Sequence, residues 1–419
     1  PAVSAGSVTL HLRRGAGGPP RAAASARPAP ALSSGKPGTC GAPHSPQRGE
    51  WPGRALPGLP APNQQKTKGG NAVNIWGKLK RDAWWQLYSL LPKDQNKAIC
   101  QSFYGRGLSD SPGAIALELR ERGWQVYWVL KDMAQASTLP TGITPILAES
   151  REAIYHQCTA GVWVDSCRKW AYTQKRGKTR YVQTWHGFPL KRIEGDAAAA
   201  LPADYLQAAK KDSAMADLFL SNGRFMTEVY RRAFWYGGEV LECGFPRNDI
   251  LAGPQPGVAG KVRQALGVPE GKRLALYAPT FRKDKGLEVY DMDYARCARA
   301  LGQRFGGEWL LLAKLHPNMA EKAAQLHLDP AVVCNASDYP DIQELYVACD
   351  ALFTYYSSVM FDYICTGKPC FLYVNDVAAY KGDRNFYFDL DKLPYIRAED
   401  NAGLEQAVLS YDGEAQSQA

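Results

Sequence analysis

From Pro92 onward the chain alternates short apolar runs with segments of helical periodicity, and this alternation constrains the fold more than any other feature. A strand that returns parallel to its predecessor needs a crossover of roughly a dozen residues or more, which a helix supplies. Ala98 to Phe103 reads as a buried strand and Tyr104 to Ser109 as a loop. Asp110 and Ser111 suit the cap of the next helix and Pro112 its first turn, and Gly123 ends it after Arg122. Further strands are expected at 125–130, 161–164, 181–184, 218–220 and 240–243. The Gly/Pro-rich stretch Ala252 to Gly260 marks a domain boundary. Beyond it, strands are expected at 274–278, 309–315, 331–334, 351–355 and 369–374, with helices at 259–266, 292–305, 319–327, 341–349 and 359–366. The expected fold class is α/β: two doubly wound domains, 71–252 and 253–419, with a ligand in the cleft between them at the carboxyl ends of the strands.

Residues 1–70 differ in kind. They hold 12 Pro and 12 Gly, nine Lys or Arg and one acid (Glu50), so this segment supplies +8 of the net charge of +9. A disordered basic tail is expected there, or an artefact of the gene start. The remainder is nearly neutral, which excludes an evenly basic nucleic-acid-binding body. No run of about 18 apolar residues predicts a transmembrane helix. The ten Cys form no CxxC pair and no Cys/His cluster at metal spacing, so a reduced chain is expected, without a disulfide framework or zinc site. Val73 to Leu91 places Trp76, Leu79, Ala83, Leu87 and Leu90 at helical spacing, with Lys78, Lys80 and Arg81 nearby and Trp84 and Trp85 beside the stripe. Such a helix either lies in a membrane interface or packs on the domain behind it.

Four stretches stand where strands end and mix Gly or Pro with groups suited to phosphate. Gln183 to Arg192 (QTWHGFPLKR) places His186 before Gly187, with Lys191 and Arg192 close in sequence. An imidazole titrating near neutrality suits a general base beside an anionic substrate, and a structural hydrogen-bonding role is the alternative. Tyr277 to Lys283 (YAPTFRK) offers Arg282, whose planar fork matches phosphate oxygens. Lys314 to Asn318 (KLHPN) again sets a His, His316, at the end of an apolar run. Thr354 to Asp362 (TYYSSVMFD) brings Ser357 and Ser358 to a helix N-terminus, where free N–H groups attract phosphate and where Ser also caps. There is no Walker A loop, no GxGxxG after a strand and no GxSxG elbow, so nucleotide hydrolysis, dinucleotide oxidoreduction and serine hydrolysis lose their main support. The residues alone point to a transferase handling a phosphate or diphosphate.

Together with SFYGRGLSDSP (102–112), GFPRND (244–249) and YKGDRNFYFD (380–389), these stretches resemble, in order, the CDP-glycerol glycerophosphotransferase family that builds the poly(glycerol phosphate) of teichoic acids. The resemblance implies two Rossmann-like domains of the glycosyltransferase B type, with CDP-glycerol on the C-terminal domain and the acceptor on the N-terminal side. It implies that His186 takes the proton of the acceptor hydroxyl and that His316, the second catalytic candidate, and Arg282 bind the diphosphate and stabilise departing CMP. Ser357 and Ser358 then hold a phosphate, Asp362 has a positioning role, and Thr280, Lys191 and Arg247 join the substrate-binding set. No cofactor is required, and a loosely held magnesium ion is compatible with the residues. The implied partners are CDP-glycerol, a lipid-linked glycerol-phosphate acceptor and the membrane surface, peripherally on the cytoplasmic face of a bacterial plasma membrane; nucleic acid is not among them. Tyr355 departs from the family's usual Thr-Asp-Tyr-Ser-Ser, which bears on donor preference and activity if that acid contacts the donor and on neither if it only buttresses the loop; CDP-ribitol stays open as the donor because no motif spells the polyol pocket. A sugar-nucleotide glycosyltransferase or epimerase and a non-catalytic scaffold are the remaining alternatives.

Overall fold

The computed structural model describes residues 75–279, 292–315, 328–375, 386–389 and 392–418. The tail, Thr280, Arg282, His316 and the helix expected at 319–327 lie outside the described residues.

The first half runs α1 (Ile75–Tyr88), β1 (Asp94–Gln101), α2 (Asp110–Glu121), β2 (Gln125–Leu130), β3 (Ile143–Leu147), α3 (Arg151–Thr159), β4 (Ala160–Asp165) and β5 (Arg180–Gln183). It continues through α4 (Ala203–Met215), β6 (Leu218–Ser221), α5 (Arg224–Ala233) and β7 (Glu239–Glu242). Its seven strands pair in the order β3-β2-β1-β4-β5-β6-β7, and every adjacent pair is parallel. The second half contains α6 (Val258–Leu266), β8 (Arg273–Pro279), α7 (Tyr294–Phe305), β9 (Trp309–Ala313), β10 (Val333–Asn335), α8 (Ile342–Ala348), β11 (Ala351–Tyr355), α9 (Val359–Tyr363), β12 (Cys370–Tyr373), β13 (Ile396–Ala398) and α10 (Asn401–Leu409). Its sheet order is β10-β9-β8-β11-β12-β13, also parallel throughout. In each sheet the order reverses once, between β1 and β4 and between β8 and β11, and a crevice opens at such a switch point.

Parallel sheets covered on both faces need apolar residues at consecutive positions. Ala98, Ile99 and Cys100 of β1 and all five residues of β9 are accordingly buried. Alternate residues feed different cores. Ile99 and Trp163 join Trp85 and Tyr88 on one face, whereas Ala98, Cys100 and Val164 join Ala116 and Trp128 on the other. In the second sheet Leu274 and Leu276 belong to one cluster, Ala275 and Tyr277 to its opposite. Each large apolar side chain buried in this way stabilises the fold by about 1.5–3 kcal/mol.

Several expectations shift. β1 begins at Asp94 and ends at Gln101, because Phe103 and Tyr104 turn the chain with φ of 42° and 58°. Ser109, not Asp110, is the N-cap of α2; Asp110 has a positive φ of 61°, and its Oδ1 accepts from the Ser111 N–H at 2.8 Å. Strands β3 and β13 were not expected. Both are edge strands, and Pro145 inside β3 is tolerated because an edge leaves one side of the ladder unpaired. Helices α3, α4, α5 and α10 were also unassigned by the sequence pattern. The stripe Leu79, Ala83, Leu87, Leu90 of α1 and the turn after it faces outward, while Trp85 and Tyr88 from the flank pack on Ile154 and Cys158 of α3. Among the described residues no helix is long and apolar enough to cross a membrane, and the nine described cysteines are free.

The 3₁₀ segment Pro246–Leu251 lies between the two sheets in sequence and packs against both α2 and α8. Phe188 and Phe225 of the first half meet Phe361 and Phe388 of the second, with ring centroids 4.6 to 5.7 Å apart. Lys191 pairs through its backbone with Phe386 in an antiparallel bridge, and the Tyr387 hydroxyl donates to Asp196 at 2.7 Å. These contacts join the halves beside the carboxyl edge of the first sheet.

Candidate active site

His186 follows β5 by three residues, at the carboxyl edge of the first sheet. The loop after β4 holds it: Nδ1 donates to the Ser166 carbonyl at 2.8 Å. This bond assigns the proton to Nδ1 and leaves Nε2 as the basic nitrogen. Trp185, with φ of 54°, lies against the imidazole at 4.1 Å between centroids, and Phe103 approaches at 6.0 Å. Burial pushes the imidazole below its usual range, with Arg247 acting in the same direction against Ser166, Asp110 and Glu194. The ring is therefore neutral at neutral pH, the state that a proton acceptor requires. The Cys167 sulfur lies 4.0 Å from Nδ1, but burial raises its thiol far above the ordinary range, so it is no thiolate nucleophile.

Behind His186 stands a buried charged layer. Lys169 pairs with Asp165 at 3.1 Å, and Asp165 Oδ1 accepts from the Cys167 N–H at 2.8 Å. Arg168 contacts Glu194 at 2.6 Å and donates to the Ala209 carbonyl at 2.9 Å. Asp212 accepts from the Lys169 N–H at 2.8 Å. Gln183 accepts from the Trp185 N–H at 2.9 Å while its amide donates to the Cys167 carbonyl at 2.9 Å. The layer fixes the backbone on both sides of Ser166, and hence the imidazole. Burial pushes the Asp165 carboxyl up to about 7.

On the facing side, Ser357 and Ser358 follow β11, whose last residue Tyr355 is in register with Pro279, the last of β8. The two serines thus follow the strand at the second switch point, next to the end of β8. Ser358 is the N-cap of α9 and makes no side-chain capping bond, so its hydroxyl is not consumed by the helix. Tyr355 is buried in the core under this loop with its ring 5.4 Å from that of Tyr356, and Tyr356 has φ of 32°.

Arg247 joins the two sides. Its Nη1 donates to Asp110 at 3.0 Å and its Nη2 to Asp362 at 2.8 Å, while Asn248 Nδ2 donates to the other Asp362 oxygen at 2.8 Å. All three charged side chains are at least nine-tenths buried. Arg247 and Asp362, expected near substrate, are committed to each other. Lys191 is placed by its backbone bridge to Phe386, and Arg192 is exposed with its guanidinium 6.0 Å from the Tyr387 ring. Sequence reasoning named His186, Ser357, Ser358, Asp362, Lys191 and Arg247, read Asp110 only as a helix cap, and did not name Asp165, Arg168, Lys169 and Glu194, the buried layer behind His186. Two cations directly after a strand, in Ser166-Cys167-Arg168-Lys169, were the available signal.

Residues 84–419 match the model of the family described as CDP-Glycerol:Poly(glycerophosphate) glycerophosphotransferase. The chain is 32% identical over 323 residues to the teichoic acid poly(glycerol phosphate) polymerase of Bacillus subtilis (strain 168), a match covering 74% of this chain and 43% of that protein. It is 30% identical over 354 residues to the teichoic acid glycerol-phosphate transferase of Staphylococcus aureus (strain NCTC 8325 / PS 47), covering 81% of this chain and 90% of the other. Its fold is similar to that of the wall teichoic acid polymerase TagF, in a variant soaked with CDPG, with a TM-score of 0.69 at 27% identity, covering 84% of this chain and 91% of that one. The chain thus spans less than half of the Bacillus subtilis polymerase.

Proposed function

The chain belongs to the CDP-glycerol:poly(glycerophosphate) glycerophosphotransferase family, and we propose that it transfers glycerol phosphate from CDP-glycerol to a hydroxyl of a lipid-linked or polymeric glycerol-phosphate acceptor, releasing CMP, in teichoic acid synthesis. The observation that carries this reading is His186: Nδ1 bonded to Ser166 and a neutral Nε2 at the carboxyl edge of the sheet. The acceptor oxygen attacks the phosphorus that bears glycerol and its proton passes to Nε2. The bond from that phosphorus to the CMP oxygen breaks, and CMP leaves with the bonding pair. Charge develops on the phosphoryl oxygens during transfer, so fixed donors are what the reaction needs. In this reading Ser357 and Ser358 supply them at the second switch point. By the resemblance, Arg282 and His316 are assigned to the diphosphate, and Thr280 and Lys191 to the substrate-binding set. The two sheets act as the domains of a glycosyltransferase B arrangement, divided near residue 252, with the donor on the second and the acceptor on the first.

Membrane association is part of the proposal, peripheral and cytoplasmic. The outward Leu79, Leu87 and Leu90 beside the exposed Lys78 and Lys80 support α1 as the contact. Protein cations neutralise the diphosphate in this scheme, with magnesium dispensable. Incubation with CDP-glycerol and a glycerol-phosphate-primed acceptor tests the function, with CDP-ribitol and EDTA as parallel arms. CMP release with CDP-glycerol, undiminished by EDTA, is expected; no release with any CDP-polyol overturns the proposal.

A further inference from the structure

The guanidinium of Arg247 stands between the two halves and against the residue that follows the base. Asp110 reaches it from the first turn of α2 and Asp362 from α9. Gly187, the residue after His186, lies so close that a Cβ built on it would meet Nη2 at 2.5 Å. The backbone N–H of Arg247 adds a long contact to the Ser111 hydroxyl, 3.5 Å. A planar fork can hold two carboxylates in fixed directions, which a lysine ammonium on a flexible stem does not do.

We propose that Arg247 is a positioning residue for His186: held by Asp110 and Asp362 and pressed on Gly187, it fixes the base loop of the first half relative to the serine-bearing helix of the second. This rests on the reading of His186 as the base. The imidazole then has two anchors, Ser166 on its ring and Arg247 on the peptide that follows it. Asp362 lies four residues after Ser358, on the short helix that those serines precede. The groups facing the imidazole are Asp110 from α2, Ser166 and Cys167 after β4, Glu194 and Trp185 from its own loop, Phe103 after β1 and Arg247 itself.

A double-mutant cycle on the full chain tests this, with CMP release as readout. Arg247→Lys keeps the charge and loses the fork. It is expected to lower kcat by about 100-fold, the scale of an ångström misplacement of a reacting group, with KM for CDP-glycerol nearly unchanged. In the His186→Ala background the same substitution is expected to have almost no further effect, because its target is gone. The acid limb of the pH profile should move upward in Arg247→Lys, since the cation withdraws from the imidazole. Equal losses in both backgrounds, or a raised KM at unchanged kcat, overturn the proposal and make Arg247 a structural or donor-binding group, leaving the base reading intact. A full rate in His186→Ala overturns both. If Arg247→Lys does not fold, Asp362→Asn, which keeps the shape and an acceptor oxygen, enters the same cycle with the same deciding outcomes.

Discussion

Gly187 and Arg247 occupy one contact: the glycine has φ of 131°, and no Cβ fits between its Cα and the guanidinium. The loop that carries His186 is thus shaped by a side chain from the segment between the two sheets.

Gly187→Ala is accordingly expected to harm the protein in two ways. The φ value is one that L side chains rarely adopt, which costs on the order of 1–3 kcal/mol. The methyl group also displaces a guanidinium that two buried carboxylates hold. A lowered Tm together with a fall in kcat of more than tenfold is expected. Calorimetry and CMP release on the same sample check it; wild-type values in both would show that the loop yields freely.

The pH dependence follows from the burial of His186, which lowers its pKa below the ordinary value of about 6.5. The base loses activity only when protonated, so the acid limb of kcat/KM is expected below pH ~6.5. The stability sign runs the same way. The fold favours the neutral ring, so this contribution is complete above the unfolded value and is lost as the pH falls through the lower folded one. Initial rates of CMP release between about pH 5 and 8 locate the limb, and a limb above the ordinary imidazole value contradicts the assignment.

Lys169 and Asp165 form an ion pair with both side chains almost wholly buried. Removing Lys169 takes away the charge that holds the Asp165 carboxyl down, and because burial already pushes that carboxyl up to about 7 it takes a proton, so Lys169→Met is expected to cost about 1–3 kcal/mol. Because Ser166 follows Asp165 directly, the folded fraction should also lose transfer activity. Urea unfolding gives the stability change, and a loss under about 1 kcal/mol would mean that water reaches the pair.

Much of this architecture was legible beforehand, for identifiable reasons. Strands such as 309–313 announce themselves because both faces of a parallel sheet are covered, so apolar residues run consecutively. His186, Ser357 and Ser358 stood out as polar groups at strand ends. Two things were not legible. Which face of α1 is inward depends on α3: the pattern Leu79, Ala83, Leu87, Leu90 left a membrane-facing and a packed reading open, and it is Trp85 and Tyr88 beside it that fill the core. The partners of Arg247 come from positions 110 and 362, each more than 100 residues away, and no local spacing signals such a pairing.

Tyr355 stands where the family's pattern has an acid, and its side chain is 1% exposed within the apolar cluster of the second sheet. An aspartate there would bury a carboxylate within that apolar cluster. Tyr355→Asp is therefore expected to lower stability by several kcal/mol, on the order of 3, without improving transfer. A variant with wild-type Tm and faster CMP release would show instead that this position faces the donor.

The outward stripe of α1 yields the last test. Leu87 is 58% exposed and Leu90 83%, beside the exposed Lys78 and Lys80, whereas Trp85 on the other side secures the helix to α3. Replacing Leu87 and Leu90 with Ser removes apolar surface that the fold does not bury, so Tm should hold. If this face enters a membrane interface, binding to vesicles of anionic lipid should weaken on the order of 10-fold or more, since each leucine loses roughly a kcal/mol or more of transfer free energy. Added salt should weaken the wild type further by screening the two lysines. Vesicle sedimentation separates the cases: undiminished binding by the double variant at equal Tm would place the membrane contact elsewhere on the first half.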